Sequence, residues 1–257
     1  MDLGIKGKNA LVPGSSSGIG LAVARALSAE GANVVLAARR AETVKAEAAR
    51  LASAVGITAD LTADGAPEDL VRRAEEAFGP VDVLVLNSGG PPPGGAADMA
   101  EEQAAAAVNQ LLLQHIRLTS LVLPGMRRRG WGRIIAVGSS GVQQPLPNLA
   151  LSNMARAGLA GYLKTLAAEV APDGVTVNMV LPGRIDTDRV VSLDAAAARR
   201  SGQQPDDVRA ASVASIPAGR YGRPEEFAAV VAFLAGIPAS YVTGEQIRVD
   251  GGLVRSY

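Results

Sequence analysis

Apolar residues follow two alternating rhythms along this chain. Short runs at Asn9–Val12, Asn33–Ala38, Gly56–Ala59, Val81–Leu86, Gly132–Val137, Val175–Leu181 and Glu245–Val249 predict strands. The fullest of them are apolar at almost every position, which suits strands buried on both faces of a parallel sheet. Between them, apolar positions recur at helical spacing in the segment from Leu21, then in Ala41–Ala54, Asp64–Phe78, Ala100–Arg129, Leu149–Val170 and Glu225–Ala235. Strand and helix alternate with short links, which predicts an α/β fold: a doubly wound parallel sheet of about seven strands with helices on both faces. No repeat or linker interrupts the pattern, so residues 1–257 read as a single domain. Asp188–Ser215 stands outside the rhythm, polar and alanine-rich with helix caps and no strand pattern. A segment of that kind is expected to cover a substrate.

Composition narrows the chemistry. Formal charge balances to zero, so no electrostatic case exists for nucleic acid or an acidic membrane surface. Cysteine is absent, which removes disulfides, thiolate metal sites and cysteine nucleophiles together. His115 is the one histidine, too few for a histidine metal cluster, and no metal is expected. No apolar run reaches membrane-spanning length, and Met1–Lys8 lacks a signal-peptide core, so the expected location is the cytoplasm.

The first strand breaks into Gly14-Ser15-Ser16-Ser17-Gly18-Ile19-Gly20 before the helical pattern resumes. A glycine turn opening a helix binds anions, because free amides and the helix dipole point outward and glycine lets a phosphate approach the main chain. The spacing Gly-x-x-x-Gly-x-Gly differs from the commoner Gly-x-Gly-x-x-Gly. At the end of the second strand, where a carboxylate would receive the free ribose hydroxyls of NAD, stand Arg39 and Arg40. Guanidinium groups pair bidentately with phosphate, so NADP(H) is favoured over NAD(H).

With these residues the chain resembles the short-chain dehydrogenase/reductase family, and within it the β-ketoacyl-acyl-carrier-protein reductase type. The likeness spans nearly the whole sequence. It is carried by the glycine turn, Asp60-Leu61, Asn87-Ser88-Gly89-Gly90, Asn109, Gly132–Ile135 leading to Ser139, Pro182-Gly183 with Thr187, and Tyr241–Glu245 with Val249–Gly252. The resemblance implies a Rossmann-type fold in which Gly14, Ser16, Ser17, Gly18, Ile19 and Gly20 hold the pyrophosphate of a nicotinamide dinucleotide. It also implies that Asp60 and Leu61 flank the adenine and that Asn87, Ser88 and Gly89 follow the adenosine ribose. Pro182, Gly183, Ile185 and Thr187 would shape the nicotinamide pocket.

The family's chemistry rests on serine, tyrosine, lysine and asparagine. Ser139 matches the serine and Asn109 the asparagine. Counting on from Ser139, the tyrosine position falls on Ser152 and the lysine position on Arg156; Ala157–Leu159 and Leu166–Glu169 keep the register through to Pro182. Serine ionises far above tyrosine, and arginine stays charged, so proton transfer is weakened while Arg156 keeps the charge for the nicotinamide ribose. Losing a positioned acid costs roughly 10²–10⁴ in rate. Tyr162 stands ten residues on, about 15 Å by helical rise, too far to substitute. Six residues past Asn109, His115 is turned off the Asn109 face and reads as a surface or packing residue. Arg184 is a candidate for binding an anionic substrate or polarising a carbonyl, with Gln143 and Gln144 bordering the substrate site. Pro13 replaces a family threonine that ties the glycine turn to its neighbour, and Ser88 replaces an asparagine. Both changes predict weaker cofactor binding.

Two functions compete. One is an NADP(H)-dependent oxidoreductase of 3-oxoacyl-acyl-carrier-protein reductase type with a remodelled site at Asn109, Ser139, Ser152 and Arg156. The other is a non-catalytic cofactor-sensing or structural partner; an elimination or isomerisation in the same cleft is the weaker third idea. The expected substrate is a small molecule or an acyl-carrier conjugate. The expected assembly is a homotetramer through the helical stretches Ala100–Arg129 and Leu149–Val170, or a hetero-oligomer with an active homologue.

Overall fold

A computed structural model describes residues 1–256; the predicted domain runs one residue further, to Tyr257, which lies outside the described residues. Seven strands, β1 (Asn9–Pro13), β2 (Asn33–Ala38), β3 (Ala54–Thr58), β4 (Val83–Leu86), β5 (Gly132–Val137), β6 (Val175–Pro182) and β7 (Gln246–Val249), form one sheet. Its order is β3-β2-β1-β4-β5-β6-β7, and every pairing is parallel. The helices are α1 (Gly18–Ala29), α2 (Ala41–Ala48), α3 (Ala66–Phe78), α4 (Glu101–Val108), α5 (Gln114–Arg129), α6 (Ala150–Val170), α7 (Asp188–Ser201), α8 (Pro205–Ala214) and α9 (Pro224–Ala235).

Alternation along each strand divides the core between two faces. Ala10 and Val12 of β1, Val83 and Val85 of β4, and Ile135 and Val137 of β5 pack with Val23 and Leu27 of α1 and Phe227 and Val231 of α9. The intervening Leu11, Leu84, Leu86 and Ile134 pack with Leu70 of α3, Leu118 and Met126 of α5, and Leu159 and Leu163 of α6. Both faces are covered, which is why the strands read as continuous apolar runs. Chain order reverses between β1 and β4, and the carboxyl ends of strands on either side of such a switch leave a crevice.

Three predicted elements differ from the structure. The helix predicted over Ala41–Ala54 stops at Ala48, because Arg50 and Leu51 turn onto the carbonyls of Glu47 and Ala48 and Ala54 pairs with Val34. Alanine-rich sequence permits helix there, and sheet pairing overrides it. The stretch Ala100–Arg129 is helical with a π segment, Asn109–Leu113, between α4 and α5. Asp188–Ser215 is two helices, parted where Gly202 takes φ +70° and Pro205 opens α8.

Candidate active site

Across the carboxyl ends of the strands lies a cleft of about 540 Å³, walled by the glycine turn, the β4 and β5 loops, α6, and the segment from Pro182 into α7. The glycine turn is shaped by backbone contacts. Gly14 and Gly18 take φ +64° and +58°, a region that favours glycine. A Cβ on Gly20 would lie 2.4 Å from the Gly14 oxygen and 2.7 Å from Asn87 Nδ2. Asn87 Nδ2 donates to the carbonyls of Pro13 and Gly14, at 3.0 and 3.2 Å. Ser15 Oγ donates to Val12 O at 2.6 Å and accepts from Ala37 N at 3.1 Å. The turn is therefore tied to both neighbouring strands although Pro13 offers no hydroxyl, because Ser15 and Asn87 make the ties instead.

That turn fits a dinucleotide phosphate. Ser17 stands at the N-cap of α1 without a side-chain cap, which leaves the first amides open to an anion. Ser88 Oγ is buried without a partner among the described residues and lines the same cleft. Arg40 Nη2 donates to Ser17 Oγ at 3.0 Å and Ser16 Oγ at 3.1 Å, which holds a guanidinium beside the turn. Arg39 carries its charge toward Asp60 instead. The Thr62 hydroxyl and amide, and then Arg39, hold the Asp60 carboxyl below its usual range. Asp60, Leu61, Ser16, Arg39 and Arg40 lie outside the lining of the cleft proper, whereas Gly14, Ser17, Gly18, Ile19, Gly20 and Asn87–Gly89 line it.

The second half of the cleft brings Ser139, Ser152 and Arg156 together. Ser139 ends β5 and caps a short turn, its Oγ accepting from Gly141 N at 3.1 Å. Ser152 and Arg156 lie one turn apart on α6 and so share a face. Asn153 clamps the preceding loop, donating to Leu146 O at 2.9 Å and accepting from Leu146 N at 3.3 Å. Arg156 is buried, donates to Val137 O at 2.5 Å, and has no carboxylate partner among the described residues. Burial, then repulsion from Arg189, brings its pKa down to about 10, so it remains a cation at neutral pH. Pro182, Gly183, Ile185 and Thr187 also line the cleft. Gly183 packs on Asp250, where a Cβ would come within 2.7 Å, and Thr187 reaches toward Gly18.

Several sequence expectations need correction. Asn109 does not line the cleft; it opens the π segment, and its Oδ1 accepts from Gln114 Nε2 at 3.1 Å. Gln143 turns toward Gln246 of β7 and Gln144 is exposed, so Leu146–Leu149 border the cleft in their place. Arg184 does line it, but its charge is taken by Asp194 at 3.2 Å, a carboxylate that also accepts from the Tyr221 hydroxyl at 2.8 Å. His115 takes the packing alternative: it lies in the interior, with neither ring nitrogen hydrogen-bonded among the described residues. Burial, and then the Arg156 charge, lower its pKa to about 3. Arg189 and Arg200 of α7 line the cleft unforeseen. Their spacing of three helical turns was the available signal, visible only once Asp188–Ser201 is read as a helix.

Residues 14–254 match a family profile described as enoyl-(acyl carrier protein) reductase. Over 254 residues the chain is 37% identical to the 3-oxoacyl-acyl-carrier-protein reductase FabG of Salmonella typhimurium, covering 98% of this chain and 99% of that one. The chain belongs to the short-chain dehydrogenase/reductase family. Among solved members, L-sorbose reductase from Gluconobacter frateurii, complexed with NADPH and L-sorbose, superposes with a TM-score of 0.94 at 32% identity, covering 100% of both chains. A variant of the actinorhodin polyketide ketoreductase with NADPH gives 0.92 at 36% identity, covering 96% of this chain and 97% of that one. Those family members hold NADPH. Among the described residues no helix is long and apolar enough to cross a membrane, and no cluster of three metal-ligating side chains occurs.

Proposed function

We propose that this family member is an NADP(H)-dependent oxidoreductase acting on a carbonyl or alcohol, 3-oxoacyl-acyl-carrier-protein reductase-like, with a remodelled proton-handling site. One observation carries the reading: a single cleft holds both the anion-binding glycine turn and the trio Ser139, Ser152 and Arg156. The open amides of α1 would take the pyrophosphate, with Ser17, Gly18 and Ile19 against it. Ser88 Oγ and Asn87 would face the adenosine ribose, and Asp60 and Leu61 the adenine. Arg40 would read the 2′-phosphate from its seat on Ser16 and Ser17. Thr187 and Ile185, brought in by the Pro182-Gly183 turn, would border the nicotinamide. The bound nucleotide supplies or accepts a hydride.

The chain's own residues then have electrostatic work to do. Ser139 and Ser152 would hold the substrate oxygen, and Arg156 would stabilise negative charge developing on it, a contribution that grows in a water-poor site. Counted on from Ser139, the family's tyrosine and lysine positions fall on Ser152 and Arg156. The cleft lining fits this, since no tyrosine, lysine or histidine is among it in the described residues. The same lining favours a second reading, a cofactor-binding member without catalysis. We further propose a homotetramer with a cytoplasmic location; the exposed Leu113, Leu121 and Met154 on the helices α5 and α6 and the π segment support subunit contacts there.

Titration with NADPH and NADH, followed by nicotinamide fluorescence, tests the oxidoreductase reading. The expected result is binding with an NADPH preference that falls about tenfold in Arg40→Gln, the size of one charge-assisted phosphate contact. No binding of either nucleotide would overturn it.

A further inference from the structure

The cleft is over-supplied with positive charge. Four arginines line it, Arg156, Arg184, Arg189 and Arg200, against the single carboxylate of Asp188. Asp194 neutralises Arg184. Arg156, Arg189 and Arg200 have no ion-pair partner among the described residues. Arg156 is buried, 8% exposed, and its one side-chain hydrogen bond among the described residues is to the Val137 carbonyl, which satisfies a donor and leaves the charge. Arg189 comes from a different element, the first turn of α7, and its Nη2 donates to Pro91 O at 2.7 Å. Gly90 makes room for it, since a Cβ there would come within 2.9 Å of that nitrogen. Both guanidinium groups line the same cleft, and after burial the Arg189 charge is the second cause that lowers the Arg156 pKa.

Holding a buried cation beside a second cation is costly unless an anion arrives between them. The nicotinamide ribose offers hydroxyls and no charge, and the pyrophosphate belongs at the open end of α1. The remaining wall, Val190, Leu193 and Ala197, is apolar. We propose that the substrate carries a carboxylate on a short apolar body, held between Arg156 and Arg189, with its reacting end toward Ser139 and Ser152. This rests on the oxidoreductase reading for the reaction, not for the binding.

Levulinate and its methyl ester share one skeleton and differ in charge, so they separate the two questions. Isothermal titration of the protein with and without NADP⁺ should show the acid binding at least tenfold tighter than the ester. Arg189→Gln and Arg156→Gln should each abolish that preference, and Arg199→Gln, on the exposed side of α7, should keep it. Equal binding of acid and ester by the wild-type protein overturns the proposal, whatever the nucleotide result. So does an Arg189→Gln protein that loses NADPH affinity while keeping the acid preference, because Arg189 is then a cofactor residue. Should Arg156→Gln fail to fold, wild type and Arg189→Gln decide the matter alone.

Discussion

The two halves of the cleft are built differently. Around the glycine turn the ties between strands are made: Asn87 and Ser15 stitch β1 to β2 and β4, close backbone approach leaves no room for a Cβ at Gly20, and the first amides of α1 stay open. Around Arg156 the balance is unmet. Among the described residues a buried guanidinium lacks a counter-charge, and the ring nitrogens of His115 have no hydrogen-bond partner. Buried polar groups in folded proteins are paired as a rule, so an unpaired cluster marks where the structure departs from stability for another purpose. One half is held by neutral hydrogen bonds around open amides; the other holds a buried charge with no counter-charge among the described residues.

The sharpest break of that comparison is the double variant Ser152→Tyr/Arg156→Lys. It returns a proton donor to the electrostatically open half and should raise carbonyl reduction by about 10²–10⁴ over the parent. The measurement is NADPH oxidation at 340 nm with a ketone. A rise from no parental activity on any carbonyl would favour the non-catalytic reading, and an unchanged rate would show that the remodelled site is self-sufficient.

In the glycine-turn half, Gly20→Ala forces a Cβ into the Gly14 oxygen and the Asn87 amide. Nucleotide affinity should fall about 100-fold by fluorescence titration, the effect of displacing the amides that form the phosphate site. Retained affinity would show that the turn can yield.

His115 gives the smallest effect. Its folded pKa, about 3, lies below the ordinary value of 6.5, so the stability linked to its neutral form is complete above pH 6.5 and is lost as pH falls toward 3. His115→Leu should flatten the fall in Tm between pH 6.5 and 4, with the variant about 5 °C less penalised at pH 4. Equal slopes would place the acid sensitivity elsewhere.

Legibility followed the same division. Glycine spacing, apolar runs and the order of turns are local signals, so the alternating fold and the glycine turn could be read directly, whereas Ser139, Ser152 and Arg156 came from the register of the family resemblance. The misread residues depend on partners distant in sequence or on helix phase. Arg184 looked available until α7 brought Asp194 against it. Asn109 looked like a site residue until the π segment turned it to Gln114.

By itself, the sequence determined the parallel sheet and the glycine turn, because continuous apolar strands and glycine dihedrals follow from backbone sterics and burial. Tertiary structure alone decided which charges remain unpaired. Electrostatic neutralisation depends on through-space distance, and only the packing of α6, α7 and the β4 loop fixes which arginine meets an acid and which faces the cleft.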